Sequence, residues 1–410
     1  MHADSERLGR ARALHAFRSR DFRLLWSART VSLIGDGAFL IALGWRTTTL
    51  TGSATSLAIV LMANSIALLA TVLIGGALAD RYSRRGMMIA SDLARVVVMG
   101  LLAVLDASGE LSFGLLLALA VGFGAADGFF YPAAGGIVPL VVESHELASA
   151  NTLIGISRQA SFVVGPALAG SIYGIAGSEA VFALNAVTFL ASAALLVPAR
   201  PRAFEREASD GTLKSIAEGV RYVAGVPWLW VGIAVTSVVL MVAMAPFQAL
   251  APTFVSEQFE KGVGAYGLLF AFEALGMTIG TIVFGQVNPR THRIWQVFGF
   301  LAVNDVFAVV MTLQDSYELA TALMVARGIL IGYAIGIWAT LMMEWVPEGK
   351  LARVTSLDFF GAIGLVPVGY ALTALVAQTA EASAVLIVGF SLAGFLWAVP
   401  LLVRSVREAA

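Results

Sequence analysis

Twelve apolar runs, each long enough to cross a bilayer, fill most of this 410-residue chain and leave it few folds to adopt. A helix rises 1.5 Å per residue, so about 20 apolar residues cross a hydrocarbon core of about 30 Å. Inside that core every backbone N–H and C=O must be satisfied within the protein, a requirement that a helix meets by itself. The runs fall near residues 23–48, 56–79, 86–105, 112–142, 148–175, 179–198, 226–255, 263–287, 292–313, 318–343, 353–378 and 383–403. The first is the least oily, holding Arg29, Asp36 and Arg46. The expected fold is an all-α integral membrane protein with 12 transmembrane helices.

Composition agrees, with 59% apolar and 13% charged residues against about 25% charged in soluble domains. A net charge of −1 offers nucleic acid no basic field. Cysteine is absent, which removes disulfides, thiolate metal sites and cysteine nucleophiles. The histidines, His2, His15, His145 and His292, all lie in predicted loops or tails, so no metal cluster buried in the membrane is expected. No phosphate-binding GxxxxGK[ST] surrounds Lys214, Lys261 or Lys350, the only lysines, so ATP is not expected to drive the chain. No nucleophile, base and metal ligands cluster in the sequence, so no enzyme, catalytic residue, metal or cofactor is expected.

With an even number of spans both termini share a face, and basic residues choose it. Twenty of the 26 lysines and arginines lie in the tails, in alternate loops or at the span ends those loops adjoin. They include Arg81, Arg84 and Arg85, residues 200–221, Arg290 and Arg293, Lys350 and Arg353. The intervening loops hold only Lys261. Both termini are therefore expected in the cytoplasm, in a multi-pass protein of the inner or plasma membrane. Residues 1–22 precede an apolar run too long for a signal peptide and are expected to remain as a tail. The polar stretch 199–225 separates bundles at 23–198 and 226–403, and 404–410 form a second tail. Within it Leu213, Ile216, Ala217 and Val220 recur at helical spacing, which fits a helix on the membrane surface or an extension of span seven.

The two bundles repeat each other. A shift of 209 residues lays Gly76, Arg81 and Arg84 on Gly285, Arg290 and Arg293, each set following an even-numbered span. "VPLVVESHELASANTL" after span four likewise resembles "VPEGKLARVTSL" after span ten. Two related six-helix bundles predict a transporter with its site between the halves, near the midplane.

The segment "GALADRYSRR" resembles motif A of the major facilitator superfamily, Gly-x-x-x-Asp-Arg-x-Gly-Arg-Arg, in its expected loop between spans two and three. Gly76, Asp80, Arg81, Arg84 and Arg85 match, and Ser83 replaces the inner glycine. "GPALAG" in span five resembles the family's export-associated antiporter signature at Gly165, Pro166 and Gly170, with Ala169 where a second glycine is usual. The resemblance covers essentially the whole chain. With "DFRLLW" and "GAIGLVPVGYAL" it is most similar to the branch holding macrolide exporters and the enterobactin exporter. It implies two pseudo-symmetric six-helix bundles and a gate in which Asp80 meets the inner end of span eleven near Asp358. It also implies an arginine paired with an acid below span four, for which Glu143 is the candidate. The position of motif B's span-four arginine, tied to proton coupling, holds Ala118. Physically, Gly76 lets span two approach a neighbouring helix, and the arginines either hold the gate or only enforce topology.

Charges inside spans cost about 2.5 to 3.5 kcal/mol each on insertion scales, so each is read first as functional. Asp36 lies about 18 Å from the inner start of span one and Glu273 about 15 Å from the outer start of span eight, both near mid-membrane. Each is a candidate to carry a proton or to face a cationic substrate, the alternative being a hydrogen-bonded structural acid. Glu273 shares a helix face with Gly276 and Gly280. Asp305 and Arg327, about 18 and 16 Å from the inner face on consecutive antiparallel helices, predict a buried ion pair. Asp127, a third proton or substrate candidate about 21 Å below the outer start of span four, either faces a cytoplasmic entrance or pairs with Arg95 or Arg158. Pro166 bends span five. Met241, Met244, Phe247, Gln248, Trp338 and Met342 are candidates for an adaptable apolar cavity, or for packing.

The expected function is secondary active efflux of an amphiphilic organic compound, a drug, antibiotic or siderophore, by alternating access against inward proton flow. Proton-coupled uptake, or a non-transporting sensor or scaffold, are the alternatives. The expected partners are that small molecule, protons and membrane lipid, with the chain a monomer.

Overall fold

A helix of 50 residues, Leu147–Leu196, would run about 75 Å if straight, more than twice a hydrocarbon core. It is broken at Gly177, whose φ of 79° and ψ of 174° are non-helical and strained for any side chain. Two spans, residues 147–176 and 178–196, therefore occupy one continuous stretch of helical residues. The computed structural model describes residues 15–79, 81–202, 212–287 and 289–407, with the side chains of 212–216, 352, 405 and 407 outside that description.

Among the described residues eleven segments are long and apolar enough to cross a bilayer, and the break at Gly177 makes them twelve spans. Spans one to four are Arg20–Thr51, Ala54–Ala79, Arg84–Ala107 and Phe113–Gly136. Spans five and six are the two parts of Leu147–Leu196. Spans seven to twelve are Pro227–Gln258, Val263–Val287, Arg293–Thr312, Tyr317–Trp345, Glu348–Val376 and Ala382–Leu402. No strand occurs among the described residues. Spans one, three, four and ten start on serines, Ser19, Ser83, Ser112 and Ser316, whose hydroxyls accept from the N–H groups of Phe22, Gly86, Leu115 and Leu319. Each satisfies one of the orphan donors of a helix start.

The chain divides into two compact units. One joins residues up to Gly52 with Ala63–Arg206, and the other joins Ser53–Met62 with the chain beyond Arg206. In the first unit Gly37 of span one and Gly165 of span five meet backbone to backbone: a Cβ on Gly37 would stand 3.0 Å from the carbonyl oxygen of Ser161. In the second, Gly276 and Gly280 of span eight face Gly328 and Gly332 of span ten, and a Cβ on any of the four would overlap a carbonyl oxygen opposite. Such small-residue seams hold membrane helices together by close packing.

Span seven widens into a π turn at Leu240–Met244. Pro246, which follows, has no N–H to return to the carbonyl of Val242. Gly389 of span twelve lies against that carbonyl, and Gly369 of span eleven against that of Met241. The linker helix Thr212–Ala224 is separate from span seven rather than an extension of it, because the chain turns at Gly225 and Val226 before Pro227. It docks on the start of span eleven, with Arg353 2.9 Å from Glu218 and Lys350 4.4 Å from the ring centre of Tyr222.

Candidate functional site

Span three begins at the arginine-rich loop, and Ser83 explains the loop's departure from the family pattern. Its hydroxyl caps the helix at the N–H of Gly86, a role that a glycine fills almost as well. Arg84 then donates to the carbonyl of Gly136, at the end of span four, and Arg85 to the carbonyl of Ala199, just past span six, at 2.6 Å. The last carbonyls of a helix have no partner within it, so a guanidinium there supplies donors and complements the helix dipole. In the second unit Arg293, the repeat counterpart of Arg84, reaches the carboxylate of Glu344. Gly136 and Glu344 each stand two residues before the shared Val-Pro. The repeat thus preserves the contact while exchanging a backbone acceptor for a carboxylate.

Two expectations at this loop are revised, and a third rests on a residue outside the described ones. Glu143, expected to pair with an arginine, instead caps its own 3-10 turn and lies 3.4 Å from Nδ1 of His145. A Cβ on Gly76 meets nothing within 4 Å among the described residues; the close approach belongs to Gly75, where a Cβ would stand 2.6 Å from the carbonyl oxygen of Gly128. Asp358 accepts from Nε1 of Trp338 at 3.2 Å, while Asp80, its expected partner, lies outside the described residues.

Deeper in the first unit one guanidinium meets three carboxylates. Arg95, 1% exposed, places Nη2 2.5 Å from Asp92 and Nη1 2.9 Å from Asp127 and 3.9 Å from Asp36. Its Cζ lies 4.2 Å from the ring centres of both Phe130 and Phe189, an arrangement suited to a flat, delocalised cation. Ser192 donates to the second oxygen of Asp92 at 2.7 Å. Asp36 is the most loosely held: its Oδ1 is buried with no hydrogen-bond partner among the described residues. Asp127 takes Arg95 rather than Arg158, one of its two expected partners. The same unit carries a second pair, Arg46 with Asp106 at 2.6 Å.

The second unit builds a similar centre from different elements. Arg327 of span ten lies 3.7 Å from Glu273 of span eight and donates from Nε to Oδ1 of Asn304 at 3.2 Å. The expected direct pair with Asp305 does not form. Asp305 instead accepts from Nδ2 of Asn304 at 3.1 Å and from Nε1 of Trp397 at 2.9 Å, so the asparagine relays between arginine and aspartate. Phe247 and Phe390 flank the guanidinium at 5.5 and 5.1 Å from their ring centres. Phe247 and Met342 are buried, and Tyr370 donates to Oε1 of Gln248, so part of the expected cavity lining is core of this unit.

Each unit thus contains one buried arginine between aromatic rings with more carboxylates nearby than it can neutralise. Asp92 is absent from the expected residues, although it too is a charge inside a span, three residues before Arg95, and that spacing is its signal. Asn304 and Ser192 carry no comparable mark, since uncharged polar residues are common in packed membrane helices.

The sequence profile described as Major Facilitator Superfamily matches residues 25–364. Macrolide efflux protein A of Streptococcus pyogenes is 23% identical over 365 residues, covering 87% of this chain and 89% of that protein. Enterobactin exporter EntS of Escherichia coli O1:K1 / APEC is 25% identical over 390 residues, covering 90% of each. The crystal structure of a bacterial homologue of the human lysosomal transporter Spinster, inward-facing and unoccupied, superposes with a TM-score of 0.71 at 14% identity. It covers 95% of this chain and 96% of its own, a likeness of fold.

Proposed function

Because the chain belongs to the Major Facilitator Superfamily, we propose that it is an efflux transporter that moves an amphiphilic organic compound out of the cell in exchange for protons. The observation that carries the coupling part is the surplus of buried carboxylate in both units: Asp36, Asp92 and Asp127 around Arg95, and Glu273 and Asp305 near Arg327. Unneutralised charge at that depth is costly. A proton or a cationic group of the substrate relieves it, and the two compete for the same oxygens, which is the elementary requirement of antiport. Export is supported by the relatives named for macrolide efflux and enterobactin export and by the antiporter-like Gly165, Pro166 and Gly170. The positive-inside bias supports cytoplasmic termini.

In this reading the transporter works by alternating access, and the loop bearing Gly76, Asp80, Arg81, Arg84 and Arg85 gates the cytoplasmic side. Purified protein in proteoliposomes with an imposed pH gradient tests it, using a macrolide and a catecholate siderophore as probes. Substrate moving opposite to the proton gradient, and collapsing that gradient as it moves, is the expected result. Substrate moving with the protons would replace export by uptake, and movement indifferent to the gradient would remove the coupling.

A further inference from the structure

At the end of the first unit that carries Arg84, two histidines 130 positions apart in sequence come together. We propose that His15, His145 and Glu146 form a divalent-metal site, fitted to zinc, that staples the 3-10 turn His15–Arg18 to the connection between spans four and five. The coordinating atoms of the three side chains lie within 4.8 Å of one another. Tetrahedral ligands about 2.1 Å from zinc stand about 3.4 Å apart, so closure requires about an ångström of side-chain adjustment, within the reach of a small rotamer change.

The backbone beneath these side chains is already held. Ala16, fully buried, donates its N–H to Oγ of Ser149 at 3.2 Å, and Ser19 donates its hydroxyl to the carbonyl of Val141 at 2.6 Å. Phe17 packs edge-on against Trp26 with ring centres 4.9 Å apart. On the other side the N–H of Glu143 donates to Oε2 of Glu146 at 3.3 Å, the capping box of the turn Ser144–Glu146. Only side chains need to move.

The donor set is that of a zinc site: two imidazoles and a carboxylate, borderline ligands for a borderline ion. Glu143, with Oε2 3.4 Å from Nδ1 of His145, is placed either to complete the tetrahedron or to orient the imidazole from behind, as carboxylates do around zinc-bound histidines. The side chain of His145 is 67% exposed, which gives the ion a path from solvent. The chain has only four histidines and no cysteine, so the meeting of two of them accounts for half of its nitrogen and sulfur ligands of this type.

The test is titration of the purified full-length protein, freed of any affinity tag and of metal, with zinc alone and with magnesium alone by calorimetry, alongside thermal unfolding. The wild type is expected to bind one zinc per chain, to ignore magnesium at the same concentration and to unfold at a higher temperature with zinc present. His15→Ala and His145→Ala should each weaken zinc binding at least several-fold, and together abolish both the binding and the thermal shift. His292→Ala should retain both. Matched unfolding temperatures of all variants in chelator show that they fold. The proposal is overturned if the wild type binds no stoichiometric zinc, or if the double variant binds it as the wild type does.

Discussion

Arg95 holds Asp92 and Asp127 through two different nitrogens of one guanidinium, and that geometry sets what its replacement should do. Arg95→Met strands three carboxylates, and breaking a buried pair costs about 3–5 kcal/mol, so the purified variant should show a large fall in Tm. Arg95→Lys keeps the charge but not the planar fork, and should fall between. In the second unit Trp397→Phe bares one oxygen of Asp305, a loss of about 1–3 kcal/mol for an unsatisfied buried acceptor, read from the same thermal unfolding. The contrast between the two centres also shows what a sequence can convey about a buried charge. Counting residues along a helix gives the height of Asp305 and of Arg327, but not their azimuth. Successive residues are turned by about 100°, and that turn puts Asn304, not Asp305, against Nε of Arg327. Nothing in residue identity distinguishes the two positions.

Azimuth decides the element scale as well, most visibly at the adjacent glycines of span two. Gly75→Ala would press a methyl group onto the backbone of span four, while the methyl of Gly76→Ala meets nothing within 4 Å among the described residues. Overpacking against backbone costs about 1–3 kcal/mol, whereas alanine in a helix is better than glycine by about 0.5–1 kcal/mol when unobstructed. Gly75→Ala should therefore lower Tm and Gly76→Ala leave it level or raise it; a fall for Gly76→Ala would contradict the geometry. Likewise Ser83→Gly should be nearly silent and Ser83→Ala should cost about 0.5–2 kcal/mol, because a cap is lost. That cap is legible once the helix start is known, since serine before an apolar run is a start signal. The break at Gly177 is half legible: two runs of apolar residues show that a turn must lie between them, but not that a single glycine makes it. The π turn of span seven leaves still less trace, because Pro246 marks a missing donor without specifying how the ladder adjusts.

At the scale of the whole molecule the twelve spans and the internal repeat are legible, because bilayer thickness and charge bias act on every residue of a span together. The partners of the loop arginines are not. An acid below span four is a search for charge, yet Arg84 is met by the backbone carbonyl of Gly136, and a carbonyl is common to every residue. In the second unit Glu344 takes the same place opposite Arg293, and there the acceptor is written in a side chain. The same distinction orders the carboxylates for transport. Asp92 and Asp127 are bound closely to Arg95, while Asp36 stands 3.9 Å away with one buried oxygen unpartnered among the described residues. Glu273, 3.7 Å from Arg327, is the looser acid of the second unit, since Asp305 has two donors of its own. A carboxylate that gives up few contacts on protonation is the better carrier, so Asp36→Asn and Glu273→Gln should insert and fold normally. Each should abolish transport driven by a pH gradient while leaving substrate exchange without a gradient intact. Asp127→Asn should instead lower Tm, because it weakens a hydrogen-bonded ion pair. Proteoliposomes assayed both ways separate these outcomes, and full gradient-driven transport in the Asp36→Asn, Glu273→Gln double variant would remove both acids from the coupling path.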